Sequence, residues 1–131
     1  NKISLEVYAV SMGNPHLITI VDDLDKIPLN EWGPLLESHK SFPSKTNVHF
    51  VKIVDSNNIK LKVWERGCGP TLACGTGACA SAAICIKLKR IDSTCNVFLP
   101  GGKLKIEWIN QDNSIIMKGP ANIVYKGTID I

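Results

Sequence analysis

Residues 65–88 read Glu65-Arg66-Gly67-Cys68-Gly69-Pro70-Thr71-Leu72-Ala73-Cys74-Gly75-Thr76-Gly77-Ala78-Cys79-Ala80-Ser81-Ala82-Ala83-Ile84-Cys85-Ile86-Lys87-Leu88. This is a glycine-rich turn opening into a helix with almost no polar face before Lys87. A helix that is apolar all round must be covered on most sides. Its side chains are small enough for strands to come close, and Lys87, Lys89 and Arg90 emerge at its C-terminal end, where positive charge suits the helix dipole. The fold expected from this stretch is α+β, with mostly antiparallel strands wrapped around one central apolar helix. Cys79 and Cys85 fall deep in the apolar segment and are expected to be buried.

Working outward, alternation of apolar and polar residues predicts strands at Ile3 to Val10, Leu17 to Val21, Val48 to Val54 and Ile59 to Trp64, with Asp55-Ser56-Asn57-Asn58 turning between the last two. A second set is expected at Cys95 to Leu99, Lys103 to Ile109, Ser114 to Lys118 and Asn122 to Ile131. Pro100-Gly101-Gly102, Asn110-Gln111-Asp112-Asn113 and Gly119-Pro120 separate them, so both sets read as antiparallel meanders with tight turns. Leu29, Trp32, Leu35 and Leu36 recur at helical spacing between Pro28 and His39, predicting a short amphipathic helix on the outside.

The 131 residues, 44% hydrophobic and 21% charged, suit a single globular domain with its own core. The net charge of +3 is spread over lysines that alternate with apolar residues, and no basic stripe for nucleic acid stands out. No apolar run reaches the roughly 20 residues that span a membrane. Nothing at the start has the profile of a signal peptide. The chain opens on Asn1 rather than Met and is strand-like at once, which predicts a further N-terminal portion. Cysteines at 68, 74, 79, 85 and 95 make an odd set without a Cys-x-x-Cys pair, so at least one thiol is free and zinc-ligand spacing is absent. A reducing cytoplasm is the expected compartment, and no metal is expected.

Cys74 stands where the turn meets the helix. The first amides of a helix lack partners within it and carry partial positive charge, so a thiol beside them ionises more easily and a carboxylate can dock there. A thiol so placed is either a nucleophile or a proton carrier. The nucleophile needs a base, and the histidines are His16, His39 and His49. His39 ends the outer helix and reads as solvated, His49 alternates along a strand as a packed or solvent-facing residue, and His16, after Gly13-Asn14-Pro15, is the one placed near Cys74.

Three further blocks surround this signature: Gly13-Asn14-Pro15-His16, Thr46-Asn47-Val48-His49-Phe50 and Glu65-Arg66-Gly67. In that order they resemble the C-terminal half of the diaminopimelate epimerase family, across essentially the whole chain. The resemblance implies an enzyme without pyridoxal phosphate or any other cofactor, interconverting LL- and meso-diaminopimelate for lysine and peptidoglycan synthesis. It also implies two cysteines acting from opposite faces of Cα. Cys74 matches the cysteine of the second half, with His16 and Glu65 tuning thiol acidity, and Asn14, Asn47, Glu65, Arg66, Gly75 and Thr76 match substrate-binding positions. Their chemistry agrees: Arg66 suits bidentate carboxylate pairing, the asparagines donate and accept, Glu65 can receive an ammonium, and the Gly75 and Thr76 amides can hold an α-carboxylate.

Each residue has a plainer reading: Glu65 and Arg66 as a surface pair, Asn14 as a turn former, Asn47 as a strand start, His16 as a turn residue capping the next strand. Other functions considered are a proline racemase or phenazine-biosynthesis type isomerase of the same fold, and a carboxylate-binding module without proton transfer. Pro70 stands where the family more usually has an acidic residue, and Cys68 is an extra thiol. No Cys-Gly-Asn-Gly type segment is present, so the chain reads as one domain of a two-domain enzyme whose N-terminal half, with the second cysteine, is the expected partner. A homodimer is left open.

Overall fold

The computed structural model describes residues 4–112 and 114–131. Its organising turn is local chemistry: Asp55 Oδ1 accepts hydrogen bonds from the Asn57 amide and from Asn58 Nδ2, each at 2.8 Å. The chain therefore doubles back, pairing β3 (Asn47–Asp55) with β4 (Asn58–Glu65) as an antiparallel hairpin. Around it lie β1 (Tyr8–Ser11), β2 (Pro15–Ile20), β5 (Gly69–Pro70), β6 (Thr94–Leu99), β7 (Gly102–Glu107) and β8 (Ile116–Lys118), with helices α1 (Leu29–Glu37) and α2 (Gly75–Lys87).

The strands form one curled sheet in the order β1-β2-β3-β4-β6-β7-β8, with β5 added to β4. The α+β class with an apolar helix at its centre is as expected, but the sheet is mixed rather than a pair of antiparallel meanders. β2 runs parallel to β3, and β4 parallel to β6. The cause is in the connections: α1 separates β2 from β3 and α2 separates β4 from β6, and a helix between two strands returns the chain to the end where the first strand began.

α2 lies on the concave side against β1, β2, β3, β4, β6 and β7. Its Ala78, Ala80, Ala82, Cys85 and Ile86 are buried with Val51, Leu61, Val63 and Val97 of the sheet. Cys79 departs from the expectation, being only half-buried because it points along an open flank of the helix. α1 covers the opposite side of the sheet over β3, β4 and β5, where Leu29, Trp32 and Leu36 cluster with Leu17, Val48, Phe50 and Trp64. The first half of β3 is thus buried on both faces, so that Asn47 and His49 are enclosed along with Val48, Phe50 and Val51 although the residue pattern alternates.

The expected strand at Ile3 to Val10 is ordered as strand only from Tyr8, and residues 1–3 lie outside the described part. β8 begins at Ile116 rather than Ser114, and Asn113 lies outside the described part. Asn122 to Ile131 is not a strand. It has the right alternation but no neighbour to pair with, and Ile123, Val124, Tyr125 and Ile129 are exposed. Among the described residues no helix is long and apolar enough to cross a membrane.

α1 approaches the sheet so closely that a Cβ on Gly33 would overlap the Trp64 ring. That ring cannot swing away, since its Nε1 donates to Glu37 Oε2 at 2.7 Å. Gly33→Ala gains about 1 kcal/mol of helix propensity and loses more to overpacking, roughly 1–3 kcal/mol. We predict a net destabilisation of about 1 kcal/mol, measured as a lower urea midpoint with unchanged slope; a higher midpoint would show that the contact is loose.

Candidate active site

β2 and β3 start, and β4 ends, at the end of the sheet where α2 begins. Parallel pairing of β2 with β3 sets His16 beside Asn47, and antiparallel pairing of β3 with β4 brings Glu65 and Arg66 to the same rim. Asn14, His16, Asn47, Glu65, Arg66, Cys74, Gly75 and Thr76 are thereby gathered at one end, although the sequence scatters them over 62 positions between Asn14 and Thr76.

Cys74 is the N-cap of α2, with extended backbone, and its Sγ accepts from the Gly77 amide at 3.3 Å. Thr76 Oγ1 is 3.8 Å from the sulfur. These two contacts favour the thiolate, but burial outweighs them and, with the nearby Glu65 carboxylate, pushes the Cys74 thiol up from its ordinary value. The expected easier ionisation is therefore corrected. The helix end offsets part of a desolvation cost that the position itself imposes, and Cys74 is only 8% exposed.

His16 does not touch the sulfur. Its Nε2 lies 3.0 Å from Asn14 Oδ1, Asn14 Nδ2 donates to Thr76 Oγ1 at 3.4 Å, and Thr76 reaches Cys74. His16 is fully buried, and burial lowers its pKa to about 4 in spite of Glu65. Its Nδ1 meets His49 Nε2 at 2.9 Å, so His49 is a packed residue facing the site. His39 is exposed as expected.

The Asn47 side chain ties three segments together: Nδ2 donates to the Pro15 carbonyl at 3.0 Å and Oδ1 accepts from the Arg66 amide at 2.9 Å. One N–H and one lone pair remain for a ligand. Glu65 and Arg66 diverge rather than pair, Glu65 accepting from Thr71 Oγ1 at 2.5 Å and Arg66 Nη1 donating to the Ser44 carbonyl at 2.9 Å. Pro70 is exposed on the short β5, and Cys68 is exposed in the turn between Gly67 and Gly69, whose φ values of 78° and 85° suit glycine.

The residue that sequence reasoning missed is Glu37. Buried at the end of α1, its carboxylate accepts from Trp64 Nε1 and, at 3.1 Å, from the Gly67 amide, and pairs with Lys45 at 3.4 Å. It fixes the Glu65-Arg66-Gly67 turn from behind. A half-buried tryptophan needs an acceptor, but nothing local singles out Glu37 among the 12 acidic residues.

In front of the helix end a cleft of about 440 Å³ is lined by Ser11, Met12, Gly75, Thr76, Cys79 and Met117, among others. The amides of Gly75 and Thr76 have no acceptor within the helix. The cleft thus has an anion seat on one wall and apolar sulfur-bearing side chains on another. Among the described residues no three His, Cys, Asp or Glu side chains converge as metal ligands would.

A family profile described as diaminopimelate epimerase matches residues 8–124. The chain belongs to the diaminopimelate epimerase family. It is 60% identical over 127 residues to a diaminopimelate epimerase of Prochlorococcus marinus (strain NATL1A), covering 97% of this chain and 45% of the relative. To one of Synechocystis it is 51% identical over 125 residues, covering 95% of this chain and 45% of the relative. The chain therefore spans a little under half the length of these family members. Among solved structures, a phenazine biosynthesis PhzF-family protein of Enterococcus faecalis superposes with a TM-score of 0.60 at 14% identity, over 81% of this chain and 40% of that one. One from Bacillus anthracis gives 0.58 at 18% identity, over 86% of this chain and 38% of that one. These two share the fold.

Two predictions follow from the family's rim as it is built here. The Glu37 pKa lies below its ordinary 4.5, held down by Trp64, Gly67 and Lys45. A depressed carboxylate adds stability above the unfolded pKa and loses it as pH falls through the folded one. Glu37→Gln, whose amide turns an N–H toward a donor, should cost about 1–2 kcal/mol near pH 7, and the gap should close at an acid pH below the lowered folded pKa. Urea titrations at both pH values check it, and a gap independent of pH would remove the charge from the explanation. Alkylation supplies the second. Exposed Cys68 should react with iodoacetamide well before buried Cys74 at neutral pH, read by peptide mass spectrometry; faster labelling of Cys74 would contradict the burial argument.

Proposed function

We propose that this chain is the C-terminal domain of a cofactor-independent epimerase that inverts Cα between LL- and meso-diaminopimelate, with Cys74 as one of two acid/base thiols. The observation that carries the reading is the buried Cys74 sulfur at the α2 cap, next to the free amides of Gly75 and Thr76, which line the cleft in front of the helix end. The relatives' name supplies the substrate, and their greater length supplies room for a companion half with the second thiol. A reducing compartment such as the cytoplasm, feeding lysine synthesis, suits the five free cysteines.

In this reading the α-carboxylate sits on the Gly75 and Thr76 amides. As the group opposite Cys74 removes the Cα proton, the electron pair spreads onto that carboxylate, where the amides stabilise it. Burial keeps Cys74 a thiol at rest, so it gives its proton to the other face of Cα and becomes the thiolate. In the reverse direction the roles exchange. Glu65 and Arg66, held apart by Thr71 and Ser44, take the distal ammonium and carboxylate of the diamino-dicarboxylate. Asn14 and the remaining N–H and lone pair of Asn47 orient it.

The test joins the chain to a companion N-terminal half and follows both LL-to-meso conversion and deuterium uptake from solvent at Cα. Cys74→Ala should lower turnover by at least about 10² with little change in stability. Turnover that survives this substitution would exclude Cys74 as the proton carrier, and absence of exchange in the parent protein would favour a carboxylate-binding module.

A further inference from the structure

His16 is bound through both ring nitrogens, and only the Nε2 side leads toward Cys74. On its other side His49 Nε2 lies 2.9 Å away, with the two rings tilted by 37° at a centroid distance of 5.0 Å. Both histidines are fully buried. Burial keeps both neutral, with pKa values lowered to about 4 and about 3, so each ring carries one proton. Two arrangements are then open to the chain of hydrogen bonds, and they run in opposite directions.

In the first, His49 Nε2–H donates to His16 Nδ1, and His16 Nε2–H donates to Asn14 Oδ1. Asn14 Nδ2 then donates to Thr76 Oγ1, which leaves the Thr76 hydroxyl proton for Cys74 Sγ. In the second every bond is reversed, the Asn14 amide is flipped, and Thr76 gives its proton to Asn14 instead of to the sulfur. The observed amide orientation, with Oδ1 toward His16 and Nδ2 toward Thr76, selects the first. His49 then keeps a bare lone pair on Nδ1, which is buried without a partner, as is the Ser81 hydroxyl one helical turn beyond Gly77. Gly77 itself leaves the space that the His49 ring occupies, since a Cβ there would overlap it.

We propose that His49 is a positioning residue: by donating from Nε2 to His16 Nδ1 it holds His16 in the tautomer with its proton on Nε2, which fixes the Asn14 amide and turns the Thr76 hydroxyl toward Cys74. The kinetic consequence rests on the reading of Cys74 as the working thiol, whereas the tautomer itself does not. Without His49, the His16 proton is free to move to Nδ1, Asn14 to flip, and the sulfur to lose a donor that stabilises its thiolate form.

The experiment is ¹⁵N spectroscopy of histidine side chains in the 131-residue chain, whose third histidine, His39, is removed by His39→Gln for assignment. His16 and His49 are expected to appear as neutral rings protonated on Nε2. In His49→Met, His16 should lose its single tautomer and show averaged nitrogen shifts. In His49→Gln, whose amide can donate to His16 Nδ1, the tautomer should return. A wild-type His16 protonated on Nδ1 overturns the proposal without any variant having to fold, and so does a folded His49→Met with His16 unchanged. With the companion half present, His49→Met should lower kcat by roughly tenfold, short of the 10²–10⁴ that a proton carrier itself contributes, with KM little altered and His49→Gln near wild type. Equal loss in both variants would reduce His49 to packing and overturn the proposal. If the parent protein does not epimerise, the functional reading fails and the tautomer alone decides this one.

Discussion

How near the first turn of α2 can come to β3 controls the rest of the structure. Gly77 carries no side chain against the His49 ring, and Ala78, Ala80 and Ala82 keep the helix narrow where six strands curl around it. A larger residue on this turn would lift the helix end from the sheet. Thr76 would then leave Asn14, carrying Cys74 with it, and the cleft in front of Gly75 would change shape. Close packing is here a means of fixing atoms near the reacting bond, because cores at crystalline density move little.

The same closeness sets the acidity of the thiol. A helix end alone would favour Cys74 as a thiolate, but a seat tight enough to hold it steady removes water from it, and desolvation is the larger effect. The second neutralising influence is the pair of buried histidines, which bring hydrogen bonds without charge. The histidines on the interior side are therefore neutral, Glu65 and Arg66 lie toward solvent, and the one buried carboxylate described at the rim, Glu37, is held by Trp64, Gly67 and Lys45. Such an arrangement suits a reaction in which charge develops on the substrate and has to be met by dipoles already in place.

The central helix was legible because a fully apolar, small-residue segment has few other uses, and the strand positions were legible from alternation. Strand direction was not, because a residue pattern is the same whether the neighbour runs parallel or antiparallel; only the placing of α1 and α2 between paired strands carries that information. At the rim, the motif residues came together as the sequence suggested, since glycine and asparagine at turns announce themselves. Glu37 and the His16–His49 contact were hidden. Each depends on two segments meeting, 27 residues apart for Glu37 and Trp64 and 33 for the histidines. Asn122 to Ile131 failed in the other direction: its alternation is that of a strand, but a strand exists only through a neighbour.

That extended segment has a consequence for handling the chain. The sheet is open at β1 and at β8, and an open edge offers unpaired N–H and C=O groups to any extended partner. β8 is guarded by its shortness and by Lys118, which with Lys105 flanks Glu107. Residues 122–131 combine exposed Ile123, Val124, Tyr125 and Ile129 with an unpaired backbone, interrupted by the charges of Lys126 and Asp130. One molecule's tail and another's sheet edge are therefore complementary, whether two copies exchange tails or each passes its own to the next. Self-association of the chain through this tail would accordingly grow with concentration, and light scattering would follow it.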